Sequence, residues 1–291
     1  MFDGIFTPIV TPFTVNEEID YKKMYHNLSK WSVTNLSGIV VLGSNGEFAY
    51  MAQDEKVSLV KNVINHFSKD KKIIVGTGCE STKETIELCK KVGDLGANAV
   101  LILPPHYYKG AMKDDILYGY YVEIANESPV PVFIYNMPGN TGINLSSSLV
   151  AKLSKHANIT GIKDTSGNII QISELVRDTD ESFSVFAGNA GYLLPALSVG
   201  AQGATLALAN IFPDECCHLF SLFKEGRLDD ARKLQLKMLE INSIVTAKLG
   251  IPALKFALDI LGYQGGEPRR PLRPLSKEAR MVVKDALEQF L

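Results

Sequence analysis

The sequence predicts an α/β chain folded as a (β/α)8 barrel of the TIM type with a C-terminal helical annex. Three observations predict it. Eight short apolar runs recur over the first two thirds of the 291 residues. Most are unbroken rather than alternating, the pattern of strands buried on both faces of a parallel sheet. Segments of helical period separate them, which implies parallel βαβ units, and eight such units suit a closed barrel. After Asn210 the strand signal stops and only helical segments follow.

The runs are residues 4–10, 38–42, 72–75, 99–103, 130–135, 159–162, 183–187 and 204–208. Between the first two, residues 21–33 place Met24, Leu28 and Trp31 on one helical face. Residues 54–67 open with Asp54 and Glu55, favourable at a helix N-terminus, and carry Val57, Val60, Ile64 and Phe67 on one side. Residues 82–95 repeat the pattern with Ile86, Cys89 and Val92, and residues 114–127 with Leu117, Tyr121 and Ile124. A helix over 146–153 is expected to take Asn144 as its N-cap. Helices over 169–177 and 191–199 complete the alternation, the latter kinked at Pro195. In the annex, helices are expected over 214–224, 229–247 and 253–261, interrupted by Gly226 and by Gly250-Ile251-Pro252. A Gly/Pro/Arg-rich loop over 262–274 then leads to a last helix opened by Ser276. The division is therefore expected as a barrel core over 1–212 and a helical extension over 213–291. An open doubly wound sheet would carry a Gly-rich dinucleotide turn after its first strand, where Thr7-Pro8-Ile9-Val10-Thr11-Pro12 stands instead.

Composition narrows the function. Hydrophobic residues make up 46% and charged residues 21%, ordinary for a globular chain with a sizeable core. With 30 basic and 32 acidic residues interspersed, the formal charge is −2, which points to neither nucleic acid nor an anionic membrane as partner. Cys79, Cys89, Cys216 and Cys217 form no Cys-x-x-Cys pair and have no histidine cluster beside them, so reduced thiols in a cytoplasmic protein are expected. The first residues have neither a basic stretch nor an apolar core of the signal-peptide kind, and no run of about 20 apolar residues would span a membrane.

In such a barrel the chemistry sits at the C-terminal ends of the strands. Lys163 closes the sixth run and is followed by a small, polar turn, Asp164-Thr165-Ser166-Gly167. A lysine there either lays its stem on apolar surface with its ammonium in water, or is a desolvated amine able to attack a carbonyl. After the second run, Gly43-Ser44-Asn45-Gly46-Glu47 could present N–H groups and side-chain donors to an anion, or be a tight turn that needs its glycines. Tyr135 ends the fifth run, where a polarised phenol could move a proton or simply pack. Tyr107 and Tyr108 lie after the fourth run, and Gly188-Asn189 after the seventh. Four of the five histidines fall on helical or surface segments, so a histidine triad or metal site has little support.

Taken together, Gly43-Ser44-Asn45-Gly46-Glu47, Tyr135-Asn136-x-Pro138, Gly161-x-Lys163-Asp164 and Gly188 resemble the dihydrodipicolinate synthase / N-acetylneuraminate lyase family of class I, lysine-dependent pyruvate aldolases. The motifs stand in the family's order, and the resemblance spans nearly the whole chain. It implies the barrel with C-terminal helices, a homotetramer built from two tight dimers, and pyruvate or a related 2-oxo acid as substrate. It also implies roles. Lys163 would form the Schiff base and Tyr135 would shuttle protons. Ser44 and Asn45 would bind the pyruvate carboxylate. Tyr107, or Tyr108 if the loop is shifted by one, would reach into the neighbouring subunit's site. Gly188 and Thr205 would line the pocket near the lysine, and Asn140, Thr165 and Asn189 would face the rest of the substrate. The protonated imine would be the electron sink, so the resemblance implies neither metal nor cofactor. Holding the keto carbon against the amine would supply about 7 kcal/mol or more of the barrier.

Two departures bear on the substrate. Dihydrodipicolinate synthases carry Thr-Thr where Ser44-Asn45 stands, and an arginine for the aspartate-semialdehyde carboxylate where Asn140 stands. Losing that charge-assisted contact would cost about 2 kcal/mol or more. The Ser-Asn pair with Asn140-Thr141-Gly142 is more similar to 4-hydroxy-2-oxoglutarate aldolases and 2-keto-3-deoxy sugar-acid aldolases. The sequence thus favours a lyase that releases pyruvate and an aldehyde. The synthase of lysine biosynthesis, an N-acetylneuraminate lyase and a non-catalytic keto-acid-binding protein are the alternatives.

Overall fold

The structure, a computed structural model, describes residues 2–291. Its eight parallel strands are β1 (Gly4–Pro8), β2 (Gly38–Val41), β3 (Lys72–Gly76), β4 (Ala99–Ile102), β5 (Val132–Asn136), β6 (Ile159–Asp164), β7 (Ser184–Ala187) and β8 (Gly203–Thr205). They close in sequence order, with β8 pairing back onto β1, so the expected (β/α)8 barrel is what forms. Outside it run α1 (Tyr21–Ser32), α2 (Gln53–His66), α3 (Thr82–Asp94), α4 (Asp114–Glu127), the single turn α5 (Pro138–Thr141), α6 (Ser147–Leu153), α7 (Ile169–Asp178), α8 (Leu193–Ser198) and α9 (Pro213–Lys224).

Period-two alternation along each strand divides the core in two. One set of side chains faces the helices. The other fills the barrel, where Phe2, Phe6, Val40, Ile74, Leu101, Phe133 and Phe186 pack as a separate cluster. Phe133 meets Phe186 nearly edge-on, with ring centroids 5.5 Å apart. Such rings fit only because glycines face them: a Cβ on Gly161 would lie 2.5 Å from the Phe133 ring, and one on Gly38 equally close to Phe6. Phenylalanine and glycine thus make a plug below the C-terminal ends of the strands. Phe186→Ala should lower unfolding free energy by about 3–5 kcal/mol, read as a fall in the urea midpoint at unchanged slope.

Some boundaries differ from the sequence reading, for physical reasons. Strand β6 continues through Lys163 to Asp164, because β5 and β7 pair with both residues. Strand β8 stops at Thr205, and residues 207–210 turn into a 3-10 segment instead of extending. The N-cap of α6 is Ser146, whose hydroxyl accepts from the Leu149 N–H at 3.1 Å, while Asn144, still exposed, turns its amide to Asn136 and Gln171. Pro195 lies in the first turn of α8, where a missing N–H is tolerated, so it opens the helix rather than interrupting it.

Helix α9 packs against β1, and α10 (Leu228–Ser243) packs beside it. A π-helical turn, Ile244–Lys248, joins α10 to α11 (Gly250–Ile260), which therefore starts ahead of Pro252 rather than after it. The last helix, α12 (Lys277–Phe290), is capped by Ser276 as expected. Helices α10 and α11 rest on the turns that follow β7 and β8, so the annex covers the rim at which the chemistry is expected. Among the described residues no helix is long and apolar enough to cross a membrane.

Candidate active site

Parallel pairing places Tyr135 of β5 and Lys163 of β6 directly side by side. Both point into the barrel above the aromatic plug, with 3% and 4% of their surface exposed. The Lys163 Nζ stands 4.2 Å from the Tyr135 ring centroid. The phenol Oη lies 2.8 Å from the Met137 Sδ and 3.4 Å from the Ser44 Oγ. An amine, a phenol and a hydroxyl are therefore consecutive neighbours, the first two buried and the third at the wall of a cleft. The solvated reading of Lys163 is excluded by its burial.

Ser44 and Asn45 sit on a 3-10 turn, Ser44–Gly46, that follows β2. The turn ends at Glu47, a non-glycine residue in the left-handed region at φ 59°, ψ 33°. Its side chain points away from solvent, and Lys255 of α11 meets it at 2.5 Å, with both side chains essentially inaccessible. Burial pushes the Lys255 amine down to about 8, against the pull of the adjacent carboxylate. Burial likewise raises the Glu47 carboxyl above its ordinary value. Glu47 also accepts from the Arg269 N–H at 2.8 Å.

A second polar cluster lies on the outer face of β5 and β6. Asn136 donates from its amide to Asp164 at 2.7 Å and to Asn144 at 2.8 Å, and its carbonyl accepts from the Leu145 N–H at 3.0 Å. The other Asp164 oxygen accepts from the Ser166 N–H at 2.9 Å and the Ser166 hydroxyl at 2.5 Å. Buried Asp164 is thus satisfied by neutral donors, and those contacts lock the ends of the strands that carry Tyr135 and Lys163. Tyr192 donates to the Asp164 carbonyl at 2.9 Å.

The remaining expected residues divide. Thr205 is buried at the end of β8. Gly188 hydrogen-bonds the Asp164 carbonyl at 2.7 Å, and a Cβ there would lie 2.2 Å from the Thr165 methyl, so only glycine fits. Thr165 donates its hydroxyl to the Asn136 carbonyl at 2.7 Å, which occupies it in joining two strand ends. The Asn189 carbonyl oxygen accepts from the Gly191 N–H and from Asn242 of α10, each at 2.8 Å. Asn140 is exposed on α5. It lines, with Ser44 and Thr141, an open cleft of about 610 Å³ whose wall also includes Lys56, Glu80, Glu84 and His106. Tyr107 is 78% exposed and stacks edge-on against Tyr108 with centroids 5.0 Å apart; within one chain it stands outside the Tyr135–Lys163 pair. Among the described residues no three His, Cys, Asp or Glu side chains stand together so as to hold a metal ion.

Sequence reasoning missed the Glu47–Lys255–Arg269 connection and the Asn136–Asp164 cluster. Signals for both existed. Lys255 interrupts the apolar stretch 251–258, and Asp164 must face the helices once Lys163 faces the barrel.

An amine beside a phenol on neighbouring barrel strands, next to a turn of hydroxyl and amide donors, is the arrangement of a Schiff-base lyase. The chain belongs to the dihydrodipicolinate synthetase family, whose model matches residues 1–290. It is an enzyme, a carbon–carbon lyase of the lysine Schiff-base type. A protein of Emericella nidulans named as a probable mitochondrial 4-hydroxy-2-oxoglutarate aldolase is 35% identical over 294 residues, covering 99% of this chain and 94% of that one. The 4-hydroxy-tetrahydrodipicolinate synthase of Geobacter sulfurreducens is 36% identical over 291 residues, covering 100% and 99%. Among solved structures, a dihydrodipicolinate synthase of Bacillus anthracis superposes with a TM-score of 0.95 at 30% identity, covering 99% and 98%.

Proposed function

We propose that the chain reversibly cleaves a 4-hydroxy-2-oxo acid or 2-keto-3-deoxy sugar acid into pyruvate and an aldehyde. The observation that carries this reading is Asn140, an uncharged side chain exposed at the mouth of the cleft on α5, where a synthase would hold a carboxylate-binding arginine. Lys163 is the nucleophile. Its neutral amine adds to the C2 carbonyl, and the carbinolamine loses water to give a protonated imine. Tyr135 carries the protons for both steps, relayed through Ser44. A base then takes the C4 hydroxyl proton, the C3–C4 bond breaks, and its electron pair moves into the imine to form an enamine as the aldehyde leaves. Protonation at C3 and hydrolysis of the imine release pyruvate and restore the amine. Ser44 and Asn45 hold the substrate carboxylate, with Gly188 and Thr205 around the keto carbon. Asn140, Thr165 and Asn189 are the residues we assign to the departing aldehyde, with exposed Asn140 as the member whose side chain has no partner to give up among the described residues.

A second reading, condensation of pyruvate with aspartate semialdehyde, draws on one contact. The Lys109 amine lies 3.3 Å from the position of a Cβ on Gly142, at the end of the α5 turn. It is a cation at the end of the turn that carries Asn140, and it could replace the missing arginine. The two readings separate in a panel of 4-hydroxy-2-oxo acids, including deoxy sugar acids, assayed for pyruvate release, run alongside the condensation. The lyase reading expects release from at least one panel member with kcat/KM about 100-fold above the condensation. Faster condensation replaces it with the synthase.

We further propose a homotetramer in the cytoplasm. Exposed Tyr107 and Tyr108 support a partner subunit that covers them, and four free cysteines suit a reducing compartment. Sedimentation velocity that finds only monomer at assay concentration excludes the assembly.

A further inference from the structure

Lys255 and Glu47 are buried, charged and unused by the reaction scheme. Each Lys255 ammonium proton has an oxygen to meet: Glu47 Oε1 at 2.5 Å, and the carbonyls of Thr11 and Glu267 at 2.7 Å each. The Phe13 ring lies 4.8 Å from the amine. Arg269, whose N–H binds Glu47, is itself held by Glu55 at 2.6 and 2.9 Å and by the Tyr50 carbonyl at 3.0 Å. Two parts of the annex therefore converge on one carboxylate.

Stability alone explains this pair poorly. A buried ion pair is often no better than apolar side chains of the same volume. What it does hold is backbone. Glu47 sits in the left-handed region, which a non-glycine residue adopts only against a steric cost, and it follows Ser44 and Asn45 by three and two positions. The turn is also tied by the Thr11 hydroxyl, which donates to the Gly46 carbonyl at 2.8 Å. The carbonyl of the same Thr11 is bound by Lys255. One annex amine thus grips the turn at Glu47 and also the segment to which the turn is tied.

We propose that Lys255 and Glu47 are positioning residues for the 2-oxo acid: by clamping Glu47 to Thr11, Lys255 fixes the Ser44 hydroxyl and Asn45 amide where they receive the substrate carboxylate. This rests on the aldolase reading above. The annex then acts on substrate binding without touching substrate.

The test is the double variant Lys255→Met/Glu47→Gln, which leaves no lone buried charge, with Glu47→Asp as a companion that keeps both charges and shortens the tether by one methylene. Folding is checked by circular dichroism and the urea midpoint. Half-saturating pyruvate for borohydride trapping on Lys163 should rise about tenfold or more, because a displaced cradle binds the substrate carboxylate less well. The maximal trapping rate should change by less than about threefold. Hydrogen exchange should accelerate at the amides of residues 44–47 and not in β5 or β6. Glu47→Asp should give the same split, and it decides the matter if the double variant does not fold. A folded variant with the parental half-saturation, or with parental protection at 44–47, overturns the proposal. If the parent itself traps no pyruvate on Lys163, the aldolase reading fails, and the exchange experiment alone decides the clamp.

Discussion

Lys163→Ala should reduce pyruvate release by about four orders of magnitude or more. Without the amine there is no imine, and the carbanion at C3 must be carried by a neutral ketone in a pocket built around something else. No general acid can replace that sink, because the imine takes up the electron pair as a full positive charge is neutralised. The substitution removes a side chain that is 4% exposed but points into the site, so the barrel should keep its fold. Circular dichroism should match the parent. Reduction by borohydride with pyruvate should add a pyruvyl group to the Lys163 peptide of the parent and to no peptide of the variant. An adduct on another lysine, or unchanged turnover, would falsify the assignment.

Tyr135→Phe should lower kcat by about 10²–10⁴-fold, the usual range for losing a positioned proton carrier. The ring stays beneath the Lys163 amine, where it now lies 4.2 Å away, so the shape of the site is retained. What disappears is the Oη that stands between the amine and Ser44, leaving the Ser44 hydroxyl with the Met137 sulfur at 3.4 Å. A thioether holds no proton at neutral pH, so the relay is cut rather than rerouted. Trapped imine should still accumulate on Lys163, only more slowly, and pre-steady-state mass spectrometry would record that lag. Parental kcat in the variant would assign the protons to another group.

The barrel was legible because strands buried on both faces carry unbroken apolar runs, as residues 38–42 and 99–103 do. The Tyr135–Lys163 pair was legible for a related reason, since polar groups at the ends of such runs have few other places to point. Ser146 and Asn144 were confused because either can cap, and only the presence of Asn136 and Gln171 at 2.8 Å decides where Asn144 turns. The sequence makes Glu47 part of an anion-binding turn, although its carboxylate is buried against Lys255. Nothing local announces that. Its partners Lys255 and Arg269 are more than 200 positions away, and a lysine in a helix reads as solvent-facing until the helix has something to pack against. Local period finds elements; charge pairing across the fold is fixed only when they are assembled.

The pairing of β1 with β8 and of Glu47 with Lys255 sets an order on how the molecule is made. As the chain leaves the ribosome, seven strands can stack in turn, yet the sheet stays open at both edges until residue 205 has emerged. Even then the closed barrel holds a carboxylate with no cation until α11 is synthesised, a state that an unpaired buried charge disfavours by about 3–5 kcal/mol. A nascent chain ending before α11 is therefore a barrel with a fault at its rim. The turn over 44–47 is thus expected to gain its last buried contacts only when Lys255 and Arg269 arrive.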